Sequence, residues 1–146
     1  MTTATRILLA LLVGLSIAAC DDASLTRDGR PDSLAGTAWR VLSVNDRAPV
    51  AGSEPTAIFT AAKVNGSAGC NSYGGSYTYD PSTGAISFPE LGMTAMGCLQ
   101  PGRNEFETLF SQAIGSVTTA SVDEEGRLVL TGPGAQILLV VDGVGT

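Results

Sequence analysis

Three cysteines, fourteen Asp and Glu, eight Lys and Arg and no histidine are what this 146-residue chain offers for chemistry. The missing histidine removes the commonest general base near neutral pH and the commonest zinc ligand, so Ser-His-Asp, Cys-His and histidine-metal arrangements are excluded. An enzyme would have to be assembled from Asp, Glu, Lys63, Tyr and Ser, with two or three of them converging in a cleft. Glu105 and Glu107 are the carboxylates that most resemble a working pair. They fall at the start of a segment with helical spacing, where acids favourably oppose the helix dipole and need no catalytic role. The Lys and Arg are scattered singly and the formal net charge is −6, which leaves no electrostatic footprint for a nucleic acid. The expectation is a non-enzyme with no catalytic residue, no metal and no cofactor.

Cys20 has a context of its own. Arg6 precedes Ile7 to Ala19, an almost uninterrupted apolar run of 13 residues. That is too short for the roughly 20 that cross a bilayer and suits the hydrophobic region of a signal peptide. The run ends Leu15-Ser16-Ile17-Ala18-Ala19-Cys20, and a cysteine directly after small residues resembles the lipobox of bacterial lipoproteins. Residues 1–19 are therefore expected to be a lipoprotein-type signal peptide, with Cys20 the lipidated first residue of a mature chain of 127 residues, 146 less 19. The competing reading is a buried N-terminal helix, but the run has no polar face. Asp21 resembles an inner-membrane retention signal whose rule varies between bacterial groups. The expected location is the bacterial envelope, lipid-anchored and facing the periplasm, with the choice of membrane open. Residues 20–33 comprise this lipidated N-terminus and a polar stretch with Gly29, Pro31 and no periodicity, a flexible tether spanning about 20 Å.

With Cys20 taken by lipid, Cys70 and Cys98 remain as an even pair in an oxidising compartment. Joined as a structural disulfide they close a loop of 28 positions, which stabilises a fold by roughly 3.5 kcal/mol on the chain-entropy estimate. Two buried free thiols, or a reactive or metal-bound pair, are the competing readings. Neither cysteine has a close Lys to lower its pKa.

The elements that must position these groups are mostly strands. Thr37 to Val44, Ala57 to Thr60 and Lys63 to Gly66 carry β-branched and aromatic residues between turn signals. Tyr77-Thr78-Tyr79 and Ala85 to Phe88 alternate around Asp80-Pro81-Ser82-Thr83-Gly84 and read as a hairpin. Val117 to Val122, Arg127 to Thr131 and Gln136 to Val141 read as a closing meander. Between the hairpin and the meander, Phe106, Leu109, Phe110, Ala113 and Val117 fall at helical spacing. Asn104 is the expected N-cap, with Glu107 returning the bond as in a capping box, and Gly115 stands where a C-terminal glycine belongs. Ile137 to Val141 is apolar on both alternating faces, so neither can lie in water alone. Seven or so short strands and one amphipathic helix fit a small, strongly curved antiparallel sheet or incomplete barrel plugged by that helix, mainly β in an α+β sense.

The glycine-rich stretch around Cys70 has structural reasons for each residue. Gly66, Gly69, Gly74 and Gly75 suit bulges, tight bends and close backbone approach. Asn71 tolerates unusual backbone and bonds it locally, and Tyr73 and Tyr77 can bury rings while their hydroxyls find partners. A phosphate-cradling loop is the sharper alternative, but no GK[ST] and no helix follow it.

Leu34-Ala35-Gly36-Thr37-Ala38-Trp39, then Gly69-Cys70-Asn71-Ser72-Tyr73-Gly74-Gly75-Ser76-Tyr77, then Met93-Thr94-Ala95-Met96-Gly97-Cys98 and Glu105 together resemble the META domain, also called HslJ-like. The resemblance covers residues 34–142. It implies a cracked or lipocalin-like β-barrel with a helix, often in an envelope lipoprotein, and no established catalytic activity. Members are associated with stress responses, secretion, motility or virulence. Trp39, Gly69, Asn71, Tyr73, Tyr77 and Thr94 are then the motif residues, structural in role with binding as a second possibility. The expected function is that of a non-catalytic envelope lipoprotein supporting stress tolerance or secretion through an unidentified protein partner. The alternative is a lipocalin-like module for a hydrophobic ligand or a lipidated partner, which requires an interior not filled by Trp39, Phe59, Phe88 and Phe110.

Overall fold

The computed structural model describes residues Asp28 to Gly143; the expected signal peptide, Cys20 and the first part of the expected tether lie outside them. Eight strands succeed one another in chain order around a closed antiparallel barrel: β1 Ala38–Val44, β2 Thr56–Phe59, β3 Lys63–Ser67, β4 Ser72–Asp80, β5 Ala85–Met93, β6 Thr119–Val122, β7 Leu128–Gly132 and β8 Ala135–Val141. The ring closes where β8 pairs with β1. Among the described residues a single helix, α1 Arg103–Ser116, is inserted between β5 and β6. The mainly β architecture with one helix is as expected, and the ring is closed although β5 and β6 pair at a single position.

Alternation decides which side chains fill it. In β1, Trp39 and Val41 point inward, and a slip in register against β8 between Val41 and Ser43 brings Val44 inward as well. In β8, Ile137 and Leu139 are buried while Leu138 and Val140 on the other face are only half covered. The double-faced apolar strand is thereby accounted for without a second fully buried face. Phe59 packs edge-on against Tyr77, with ring centroids 5.0 Å apart.

The seam between β5 and β6 is the weakest of the eight, with one paired position, Ala85 with Thr119. The helix packs against β8, β5 and β7 and buries Phe106, Phe110, Ala113 and Ile114 in the same cluster that fills the barrel. Tyr73 and Phe110 meet there at 5.2 Å.

Several local expectations are corrected. The helix begins at Arg103 with Gly102, at φ 83°, in the N-cap position and no side-chain cap, so Asn104 is not the N-cap. Glu107 makes no capping box because its carboxylate is engaged by another segment. Gly115 lies inside the last turn; the helix ends through Val117, whose N–H donates to Ile114 O at 3.4 Å. Gly74 and Gly75, read as suiting bends or close backbone approach, are interior to β4, and β5 continues through Pro89 to Met93. At Gly75 a side chain would collide with the Glu90 carbonyl of the neighbouring strand, so close backbone approach is the reason for the glycine. Among the described residues no helix is long and apolar enough to cross a membrane.

Candidate functional site

Gly69, Asn71 and Thr94 of the motif gather at one end of the barrel. Cys70 and Cys98 form a disulfide with Cα atoms 6.0 Å apart, joining the β3–β4 turn to the segment that leads into α1. Gly69 takes φ 107° beside Cys70, and the turn closes with Ala68 N–H donating to Asn71 O at 2.8 Å.

Asn71, 4 % exposed, is the hub. Its backbone N–H donates to Glu107 Oε2 at 2.6 Å, and its Nδ2 donates to Glu107 Oε1 at 2.6 Å and to Met96 O at 3.1 Å. Its Oδ1 accepts from Met96 N–H at 2.7 Å and from the Thr94 hydroxyl at 3.0 Å. Both amide hydrogens and both lone pairs are thus used, which is all an asparagine side chain can do. The Thr94 oxygen also accepts from Ser72 N–H at 3.1 Å. Arg103 Nη2 donates to Gly52 O at 2.6 Å and fixes the start of the helix against the β1–β2 connection. Turn, disulfide loop and helix are therefore one fastened unit.

The remaining motif residues sit along the barrel wall. Tyr73 donates its hydroxyl to Thr56 O at 2.8 Å, and burial pushes its pKa upward. Tyr77 does the same toward Thr60 O at 2.8 Å, again with its pKa raised by burial. Trp39 Nε1 donates to the Thr37 hydroxyl at 2.7 Å. These are satisfied core groups. They brace the wall and aim no polar atom at an open site.

One cluster has metal-ligating composition: Cys70 Sγ, Cys98 Sγ and a Glu107 oxygen lie within 4.8 Å of one another. Its donors are already committed, the sulfurs to each other and both carboxylate oxygens to Asn71. A separate cleft of about 360 Å³ opens between β5 and α1, lined by Tyr73, Phe88, Leu91, Met93, Ser111 and Ile114 among others. Met93 at the cleft is 37 % exposed, Met96 inside the disulfide loop is 63 % exposed, and Leu99 just beyond Cys98 is fully exposed.

Glu107 is the residue that sequence reasoning misplaced. Its position at a helix start supplies a local explanation, whereas its partner is 36 residues away and leaves no local trace.

An eight-stranded barrel with one helix packed on β8, β5 and β7 and a disulfide-pinned asparagine hub defines a small all-antiparallel scaffold. The META domain family model matches residues 32–143, and the chain belongs to the META domain family. Three solved structures share the fold. A protein from Burkholderia xenovorans, solved by NMR, is 21 % identical, with TM-score 0.66 over 87 % of this chain and 99 % of that one. A second protein solved by NMR is 23 % identical, with TM-score 0.57 over 73 % of this chain and 89 % of its own. A DUF4847 family protein from Bacteroides vulgatus is 15 % identical, with TM-score 0.51 over 77 % and 96 %. Comparison with curated proteins finds no match.

Proposed function

We propose that this chain is a non-catalytic, lipid-anchored envelope protein whose META domain acts through contacts with another protein, in support of stress tolerance or secretion. The observation that carries the reading is the filled interior. Trp39, Phe59 and Phe110 are 3 % exposed or less and belong to one contiguous cluster, with Phe88 packed against it. A carrier of a hydrophobic ligand needs a hollow interior of a few hundred Å³ instead. Binding is therefore assigned to the outer surface.

The direction of the domain fits a tether at Cys20. At the β4–β5 turn end, Val122 N–H donates to Gly29 O at 2.6 Å and the Tyr79 hydroxyl to Pro31 O at 2.7 Å. The disulfide loop lies at the other end of β4. A nine-residue strand separates them, about 30 Å if straight. An anchored domain would hold the disulfide end, with Met96 and Leu99, away from the membrane.

The test is Cys20→Ser in the native host. The variant should remain unprocessed or leave the membrane fraction. A mature-sized protein that still pellets with membranes overturns the lipoprotein reading. Native mass spectrometry of the protein from its own envelope should return the bare chain; a discrete lipid-sized added mass would favour the carrier instead.

A further inference from the structure

Strand β5 is paired along its length with β4, from Ala85–Asp80 to Met93–Tyr73, but with β6 only at Ala85. The Ile86 N–H donating to Thr118 O at 3.0 Å is the last bond across that seam. At the other end of β5, Thr94 N–H donates to Ser72 O at 3.0 Å, on the β4 side. Antiparallel alternation then directs the backbone N–H and C=O of Met93 and Leu91 away from β4, into the open seam. Among the described residues no strand receives them. Pro89 lies in this stretch, as suits a strand edge.

The helix touches this edge where the Ser111 hydroxyl donates to Met93 Sδ at 3.6 Å, and beside that contact it leaves a gap. The cleft of about 360 Å³ lies between them, with Phe88, Leu91 and Met93 on the strand side and Ser111, Ile114 and Gly115 on the helix side. A Cβ added at Gly115 would meet no atom within 4 Å. Leu91 and Met93 face the same side as Gly75 and Tyr73, their cross-strand partners, and their side chains line the cleft.

We propose that the open edge of β5 takes an extended segment of another protein as an added strand, with an apolar side chain of that segment seated in the cleft. This rests on the protein-contact reading above and names the surface it uses. The occupant follows from the chemistry of the edge. Backbone donors and acceptors repeating along a strand are complemented by another extended backbone, whereas an acyl chain or compact ligand would leave them unmatched. Pro89 to Met93 spans about 16 Å, the length of five strand residues. Charge selects further: no charged residue of either sign lines the cleft, and the described residues as a whole carry twelve Asp and Glu against six Lys and Arg. The segment is accordingly neutral or basic, alternating apolar and polar side chains.

The probe is a fluorescent hexapeptide of alternating valine and lysine, titrated by anisotropy into the full chain purified from its host in detergent micelles. Binding is expected, with hydrogen-exchange protection at the Leu91 and Met93 amides. The same peptide N-methylated on the amides that face β5 should bind at least about tenfold more weakly, since its backbone donors are gone. Gly115→Leu, which fills the cleft and improves helix propensity, should weaken binding about tenfold with a melting temperature no lower than the parent's. A valine-glutamate peptide should bind more weakly than the lysine form. Equal affinity for the N-methylated peptide, protection confined elsewhere, no binding at millimolar peptide, or occupation of the edge by a second copy of this chain overturns the proposal. None of these readouts depends on Cys20, so its lipidation can fail without touching them.

Discussion

Removing the Glu107 carboxylate measures what holds the disulfide end together. In Glu107→Ala, Asn71 loses the acceptors of its backbone N–H and of one Nδ2 hydrogen, both at 2.6 Å. A hydrogen bond to a charged group contributes about 1.5–3 kcal/mol, and a buried donor left unmatched incurs its own desolvation cost. Glu107 is half-buried, so water can replace part of what is lost; an overall destabilisation of about 3 kcal/mol is expected. At about 4 °C per kcal/mol for a domain of this size, the melting temperature should fall by about 12 °C. Were Glu107 merely an acid facing the helix dipole, the loss would be about 0.3–1 kcal/mol. Glu107→Gln separates the two roles further. Both of its partners are donors and one end of the new amide is a donor too, so one bond survives and the other becomes a repulsive contact. The expected cost is about 2 kcal/mol despite conserved size. Thermal and urea unfolding with the disulfide intact provide the assay. An alanine variant within about 1 kcal/mol of the parent would refute the hub.

Reduction of Cys70–Cys98, which lie 28 positions apart, should lower the unfolding midpoint by an amount equivalent to roughly 3.5 kcal/mol; an unchanged midpoint in reductant contradicts its structural role. Tyr73 has its pKa raised above the ordinary 10.0 by burial, so the folded state keeps a proton that the unfolded chain gives up. Its contribution is whole below pH 10 and is lost as pH climbs from there toward the folded value. Alkaline unfolding should therefore steepen above pH 10, and Tyr73→Phe should reduce that steepening while costing about 1 kcal/mol near neutrality for the lost bond to Thr56. At Asp123, burial raises the pKa, but the N–H and guanidinium of Arg127 outweigh it and hold the carboxyl below 3.8. Stability from this group is present above that value and disappears as pH falls through the folded pKa. Asp123→Asn should thus be less stable at pH 7 and show a flatter acid limb in denaturation curves; identical acid limbs would dismiss the contribution.

Local patterns carried much of the fold. The Tyr77–Phe88 hairpin, the closing meander and the helix were readable because alternation, turn residues and 3.6-residue spacing are properties of short windows. The run around Gly69-Cys70-Asn71, with Thr94 and Cys98 following, marked the family and the end of the barrel where its residues meet. The pairing of Cys70 with Cys98 followed from counting, with free thiols and metal as open alternatives until the two were found bonded. Gly74 and Gly75 were harder. Glycine usually weakens a strand, and only the Glu90 carbonyl crossing beside Gly75 explains why β4 runs straight through them.

The sequence by itself determined the composition of the site, the absence of histidine chemistry, the element order and the family. Tertiary structure alone decided that Glu107 serves Asn71 rather than its own helix, that the interior is filled, and that β5 keeps an open edge beside a cleft. The physical reason is range. Propensity and periodicity act over a few residues, whereas the Asn71–Glu107 bonds span 36 positions, and the Trp39–Val141 pairing that closes the barrel joins the two ends of the domain. Which groups meet across such distances depends on how all eight strands pack at once, and no short window of residues contains that information.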